Sequence, residues 1–195
     1  MNPPAASHPS SVRIRSIAII GAGAAGRDFA ATCLRAGIDV VLEDVMPANL
    51  RRAQADLPSL PGALTLVGTV EDAVRSVDLA IDFVPDELES KLEIFSMIDR
   101  MAPPRTILCT PTETLSITDL ASCIYRPDRC VGLRGLPFAS ASVAGARVDL
   151  LYPPAASAAT LSAVGEFFTR LGFLCNATAD PDAPMLMKNL AGKPR

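Results

Sequence analysis

Three glycines stand at the spacing G-x-G-x-x-G in the run Gly21-Ala22-Gly23-Ala24-Ala25-Gly26. That spacing suits the binding of a diphosphate by backbone groups. Gly21 permits a tight turn, Gly23 has no side chain to hold off a pyrophosphate, and Gly26 lets helix and strand pack closely. A helix opening at Ala24 and Ala25 would offer unpaired N–H groups and a partial positive charge to the phosphates. Asp44 follows Gly26 by eighteen positions. A carboxylate there accepts hydrogen bonds from ribose hydroxyls and repels a 2′-phosphate, which favours NAD over NADP. Glu43 is adjacent, but strand alternation turns it to the other face. Arg51 and Arg52 could meet a phosphate or be solvated residues of a surface helix. A glycine-rich turn without a ligand is the plainer alternative. The flanking strand and helix patterns and Asp44 favour the binding turn.

The elements that must position these residues are legible in the pattern of apolar runs. Residues 16–20, 38–44, 63–68, 78–84, 105–110, 129–135, 147–152 and 173–178 predict strands, and the run 78–84 is apolar enough for a parallel strand covered on both faces. Helices are expected over 24–36, 47–55, 86–101, 116–124, 157–171 and 184–190, with a shorter one after Thr69. Gly37 and Gly172 are placed to end two of them. Thr69 and Ser116 each precede an aspartate by three residues, an acidic relative of the capping box. Strands alternating with helices predict an α/β fold with a doubly wound, mostly parallel sheet in three layers, of the Rossmann type. Residues 1–14, with Pro3, Pro4 and Pro9, are expected to be a flexible tail, and 15–195 a single dinucleotide-binding domain.

Composition excludes other chemistry. Eighteen Lys+Arg against 21 Asp+Glu give a net charge of −3, which argues against a nucleic-acid partner. With 49% hydrophobic and 20% charged residues the chain can bury a core. No stretch is long enough to span a bilayer, and no secretory signal is visible at the start. The single histidine, His8, lies in the expected tail, so a Ser-His-Asp set cannot form in the folded body. A P-loop is absent, and no Cys/His spacing suits a metal. Five cysteines without a CxxC pair fit a reduced, cytoplasmic protein. Cys109, at a strand end beside the expected crevice, is the one whose thiol could matter. Met185 and Met187 are read as packing.

The segments IAIIGAGAAG, VVLEDV, DLAIDFVPDELESKLEIF, MAPPRTILCTPTETLSITDLA, RPDRCVGLRGLPF and RVDLLYPPAAS resemble, together and nearly end to end, the NAD-binding domain of the 3-hydroxyacyl-CoA dehydrogenase family. That resemblance implies NAD as cofactor and a 3-hydroxyacyl or related hydroxy-acid substrate. It also implies an all-helical domain, which would come from a second copy or a partner chain. It assigns cofactor contacts to Asp86 and Lys91. Asp86 also reads as a plain N-cap, and Lys91 as an exposed helix residue. Apolar Met185, Leu186, Met187 and Leu190 predict self-association or a partner.

The same resemblance exposes departures. Arg134 occupies the position of the family's proton-accepting histidine, Glu113 that of a serine, and Asp149 that of the orienting glutamate. The family's late asparagine falls at Met187, with Asn189 close by. Only residues 45–63 separate the second and third strands, which removes most of a helical insertion that helps hold CoA. Arginine stays protonated and cannot act as a general base near neutral pH. Glu113, Asp149 and Lys91 then remain as acid–base candidates, and Arg134 would bind a substrate carboxylate or carbonyl oxygen. A structural ion pair between Arg134 and Asp149 is the plainer expectation. Two functions stay open: an oxidoreductase with altered groups, and a module that holds NAD(H) as a regulatory or partner-dependent unit without turning it over.

Overall fold

A computed structural model describes residues 13–57, 59–137 and 144–180. Among these residues eight strands are present: β1 (Ser16–Ile20), β2 (Asp39–Glu43), β3 (Leu64–Val67), β4 (Leu79–Asp82), β5 (Ile107–Pro111), β6 (Cys130–Arg134), β7 (Arg147–Tyr152) and β8 (Leu174–Ala179). Between them run α1 (Ala24–Arg35), α2 (Pro47–Asp56), α3 (Val70–Val74), α4 (Leu88–Met101), α5 (Ile117–Ser122) and α6 (Ala158–Arg170). The strands form one sheet in the order β3-β2-β1-β4-β5-β6-β7-β8. Every neighbouring pair is parallel except β6 with β7. The sheet is the expected doubly wound one, and its order reverses between β1 and β4. At such a switch point the flanking helices part and leave a crevice beyond the carboxyl ends of the strands.

Strand alternation builds a core on each face. Ile17 and Ile19 of β1 pack with Val40, Leu42 and Ile81 under α1 and α6, which contribute Phe29, Leu34, Phe167 and Phe168. Ala18 and Ile20 pack with Ala80 and Leu108 under α3, α4 and α5, which contribute Val74, Phe95, Ile98 and Leu120. Two cores on one sheet give the three layers.

The local signals fall where the sequence places them. Thr69 accepts a hydrogen bond from the Asp72 amide and Ser116 from the Asp119 amide. Gly37 (φ +70°) and Gly172 (φ +96°) follow α1 and α6 in the left-handed region. One start is displaced. Helix α4 begins at Leu88 with Glu87 at its N-cap and no side-chain cap, so Asp86 is not the cap. Ile14 is buried, and its carbonyl accepts a 2.8 Å hydrogen bond from Arg170. The helix expected at 184–190, the apolar end with Met185, Leu186, Met187 and Leu190, and His8 lie outside the described residues.

Candidate functional site

The glycine turn links β1 to α1 at the switch point. Gly21 has φ +101°, and its N–H donates to the Glu43 carbonyl at 2.9 Å, tying the turn to β2. A Cβ on Gly26 would lie 1.9 Å from the Gly21 carbonyl oxygen, so helix and strand meet where only hydrogen fits. A Cβ on Gly23 would meet nothing within 4 Å, so the turn is open on that side. Gly23 is the N-cap of α1, and no side chain caps that end. The turn therefore fits a diphosphate: past Gly21 and Ala22, whose amides are taken by Glu43 and Asp44, the exposed Gly23 and Ala24 stand at the positive end of a twelve-residue helix.

Asp44 faces the turn, as expected. Its Oδ2 accepts from the Ala22 amide at 2.8 Å and from Asn49 Nδ2 at 2.9 Å, while Oδ1 accepts from the Met46 amide at 2.8 Å. The sequence does not single out Asn49; its only signal is its place in the first turn of α2, five residues after Asp44. Glu43 takes the opposite face and is 2% exposed, with Oε1 lacking a partner. Burial first, and the neighbouring Asp44 charge second, push its pKa up to about 7, against the Gly21 amide. Arg51 and Arg52 are exposed on α2.

At the end of β4 the structure corrects the reading of Lys91 as an exposed helix residue: its amine is buried in an ion pair and borders a cavity. Lys91 Nζ lies 2.7 Å from Asp82 Oδ1, with the two side chains 1% and 0% exposed. Helix α4 turns Lys91 inward over the last residue of β4, which sequence periodicity alone did not reveal. Burial pushes the Asp82 carboxyl above its ordinary range, opposed by Lys91. Asp86 is exposed and bridges to the loop after β5, accepting from the Glu113 amide at 2.9 Å and the Thr114 hydroxyl at 3.3 Å. Partial burial works against its ionisation, but hydrogen bonds from Thr112 and Glu113, with the Lys91 charge, hold the carboxyl below its usual range.

A cavity of about 220 Å³ opens where these elements converge, with Ala25, Phe83, Lys91, Thr112, Glu113 and Leu136 in its wall. Glu113 Oε1 accepts from the Gly135 amide at 3.0 Å, so the loop after β5 is fastened to the end of β6. Arg134 and Asp149 stand opposite each other across the antiparallel ladder. Their expected ion pair is not among those formed by the described residues. Asp149 Oδ1 instead accepts from Asn176 Nδ2 at 3.3 Å, and the buried Arg134 Nε has no partner. Ladder geometry gives proximity, but each side chain has its own rotamer preferences. Cys109 is fully buried in the middle of β5, where desolvation, and next the Asp82 charge, push its thiol far up, so it is not a reactive group beside the crevice. Among the described residues no metal cluster forms and no helix is long and apolar enough to cross a membrane.

The profile of the 3-hydroxyacyl-CoA dehydrogenase NAD-binding domain matches residues 16–65 and 59–174. The chain belongs to this family. It is 35% identical over 135 residues to 5-formyl-3-hydroxy-2-methylpyridine 4-carboxylate 5-dehydrogenase of Mesorhizobium japonicum, covering 62% of this chain and 44% of that protein. It is 30% identical over 140 residues to the probable 3-hydroxybutyryl-CoA dehydrogenase of Bacillus subtilis, covering 63% and 48%. The crystal structure of (S)-3-hydroxybutyryl-CoA dehydrogenase from Ralstonia eutropha superposes with a TM-score of 0.77 at 24% identity, over 91% of this chain and 68% of that one. The chain thus spans about half the length of the two curated relatives. As an NAD-binding domain of this family, it takes NAD as its cofactor.

Proposed function

We propose that residues 15–195 are the cofactor-holding unit of an NAD-dependent oxidoreductase acting on a 3-hydroxyacyl or related hydroxy-acid substrate. The observation that carries this reading is the continuity of the site. The open turn at Gly23, the Asp44 carboxylate and the cavity beside Lys91 lie along one crevice at the switch point. Gly21, Gly23, Ala24, Ala25 and Gly26 hold the diphosphate, and Asp44 receives the adenosine ribose. Asp86 and Lys91 contact the far half of the cofactor. NAD, when bound, supplies the acceptor for hydride.

Glu113, Arg134 and Asp149 face the substrate. Arg134 cannot remove a proton, so it orients a substrate oxygen, and proton transfer falls to Glu113, Asp149 or Lys91. The relatives bear the names of dehydrogenases, which favours turnover over a binding-only role. Those names include a pyridine carboxylate enzyme, a hydroxybutyryl-CoA enzyme and L-carnitine dehydrogenases. A helical domain, carried by a longer chain, a second copy or a partner chain, completes the substrate site. The five cysteines are all unpaired, which supports a reducing, cytoplasmic setting.

Calorimetric titration with NAD⁺ and NADH tests the cofactor assignment. Saturable binding that Gly23→Asp abolishes is expected, and no binding at millimolar cofactor would overturn it. NADH oxidation with acetoacetyl-CoA and a panel of 3-oxo acids tests turnover against the same control.

A further inference from the structure

Asp44 takes three donors from the protein, and only one of them is a side chain. The Ala22 and Met46 amides come with the turn and with the chain that leaves β2. The third donor is Asn49 Nδ2, 2.9 Å from Oδ2. Asn49 stands third in α2, after Pro47 and Ala48, and is half-buried. A polar side chain at that place commonly reaches back to the amide at the N-cap. Here the N-cap amide, that of Met46, already donates to Asp44 Oδ1. Asparagine is a poor helix former, so the helix does not account for its place in α2. Its amide group serves the carboxylate instead.

These contacts set the two oxygens of Asp44 apart. A carboxylate oxygen accepts about two hydrogen bonds. Oδ2 holds two, from Ala22 and Asn49, whereas Oδ1 holds one and has room for another. The torsion that turns a carboxylate is soft, and a donor on a separate helix fixes it. Asn49 is also neutral. No ion pair among the described residues includes Asp44, so its charge is not cancelled. A charged oxygen with one vacant position is the acceptor that a ribose hydroxyl requires.

We propose that Asn49 is a positioning residue for the cofactor: by filling Oδ2 it fixes the Asp44 carboxylate with Oδ1 left for the 2′-hydroxyl of the adenosine ribose. This rests on the assignment of that ribose to Asp44 above and adds the side chain that makes the contact selective. Asn49 acts through Asp44 and not on the cofactor itself.

The test is calorimetric titration of the intact chain with NADH and with the NADH analogue that lacks the adenosine 2′-hydroxyl. The parent should bind NADH about tenfold more tightly than the analogue, which cannot donate to the carboxylate. Asn49→Ala removes the side-chain donor and suits a helix better, so α2 should form. In this variant the two ligands should come within about threefold of each other, with the loss falling on NADH. A merely structural role would lower both affinities together and keep their ratio. The proposal is overturned if the ratio in Asn49→Ala equals that in the parent, whether both affinities fall or neither does. A parent that binds NADH and the analogue equally would remove the ribose from Asp44, and the proposal with it. Failure of NADH to bind the parent would instead remove the cofactor assignment on which both stand.

Discussion

At the β2 end of the crevice the contacts are closed largely by backbone. The amides of Ala22 and Met46, with Asn49 Nδ2, orient Asp44 and leave its Oδ1 with a single donor, the Gly21 amide is held by the Glu43 carbonyl, and Gly26 lies against Gly21 with no space between them. At the β6–β7 end the groups are side chains, and they are not closed on one another. Arg134 and Asp149 share a register without pairing. A cofactor turn built from main chain admits little substitution, because its geometry is also the junction of strand and helix. A substrate end built from side chains can exchange a base for a cation and leave the fold unaffected.

That contrast can be broken by mutation. Lys91→Met should have the largest effect on stability, about 4 kcal/mol, because it leaves the Asp82 carboxylate buried without its cation. The double variant Lys91→Met/Asp82→Leu should recover most of it in urea unfolding. Similar losses in the single and double variants would show that packing, not charge, holds this junction.

Gly26→Ala comes next, at about 3 kcal/mol, since its methyl would collide with backbone rather than with a flexible side chain. A loss under about 1 kcal/mol would mean that the turn yields and that the cofactor end is not rigid.

Glu43 gives a smaller, pH-dependent effect. Its folded pKa of about 7 lies above the ordinary 4.5, so the folded chain holds that proton more tightly than the unfolded one. Stability from this group should therefore fall as pH rises from about 4.5 to about 7. Glu43→Gln should flatten thermal stability across that window and exceed the parent only at its upper end. An unchanged pH profile would remove Glu43 from the cofactor end's electrostatics.

Arg134→Gln should change stability least, within about 0.5 kcal/mol, because no partner is lost. A loss above about 2 kcal/mol would erase the distinction between the two ends.

Much of this architecture is legible in the sequence because its signals are local. A capping hydroxyl three residues before its amide, as at Thr69 and Ser116, or a glycine just past a helix, as at Gly37, depends on a few neighbours only. The same holds for the turn, the alternation that separates Glu43 from Asp44, and the family resemblance spread over many segments. What failed required contacts between distant segments. Lys91 reads as a solvated helix residue until the packing of α4 over β4 brings Asp82 beneath it. Asp86 reads as a cap until the loop after β5 arrives with two donors. Opposite charges at Arg134 and Asp149 suggest an ion pair until side-chain direction intervenes. Cys109 reads as accessible until β5 is placed inside the sheet.

Burial of Lys91 also makes its amine a clock. An acylating reagent reaches a lysine only through solvent, and this ammonium, 1% exposed, meets it only along the cavity it borders and reacts only when its pair with Asp82 parts. Mass spectrometry of a chain held in dilute reagent would then count openings of the crevice floor at one atom. The labelling rate would fall as ligands tighten the native state.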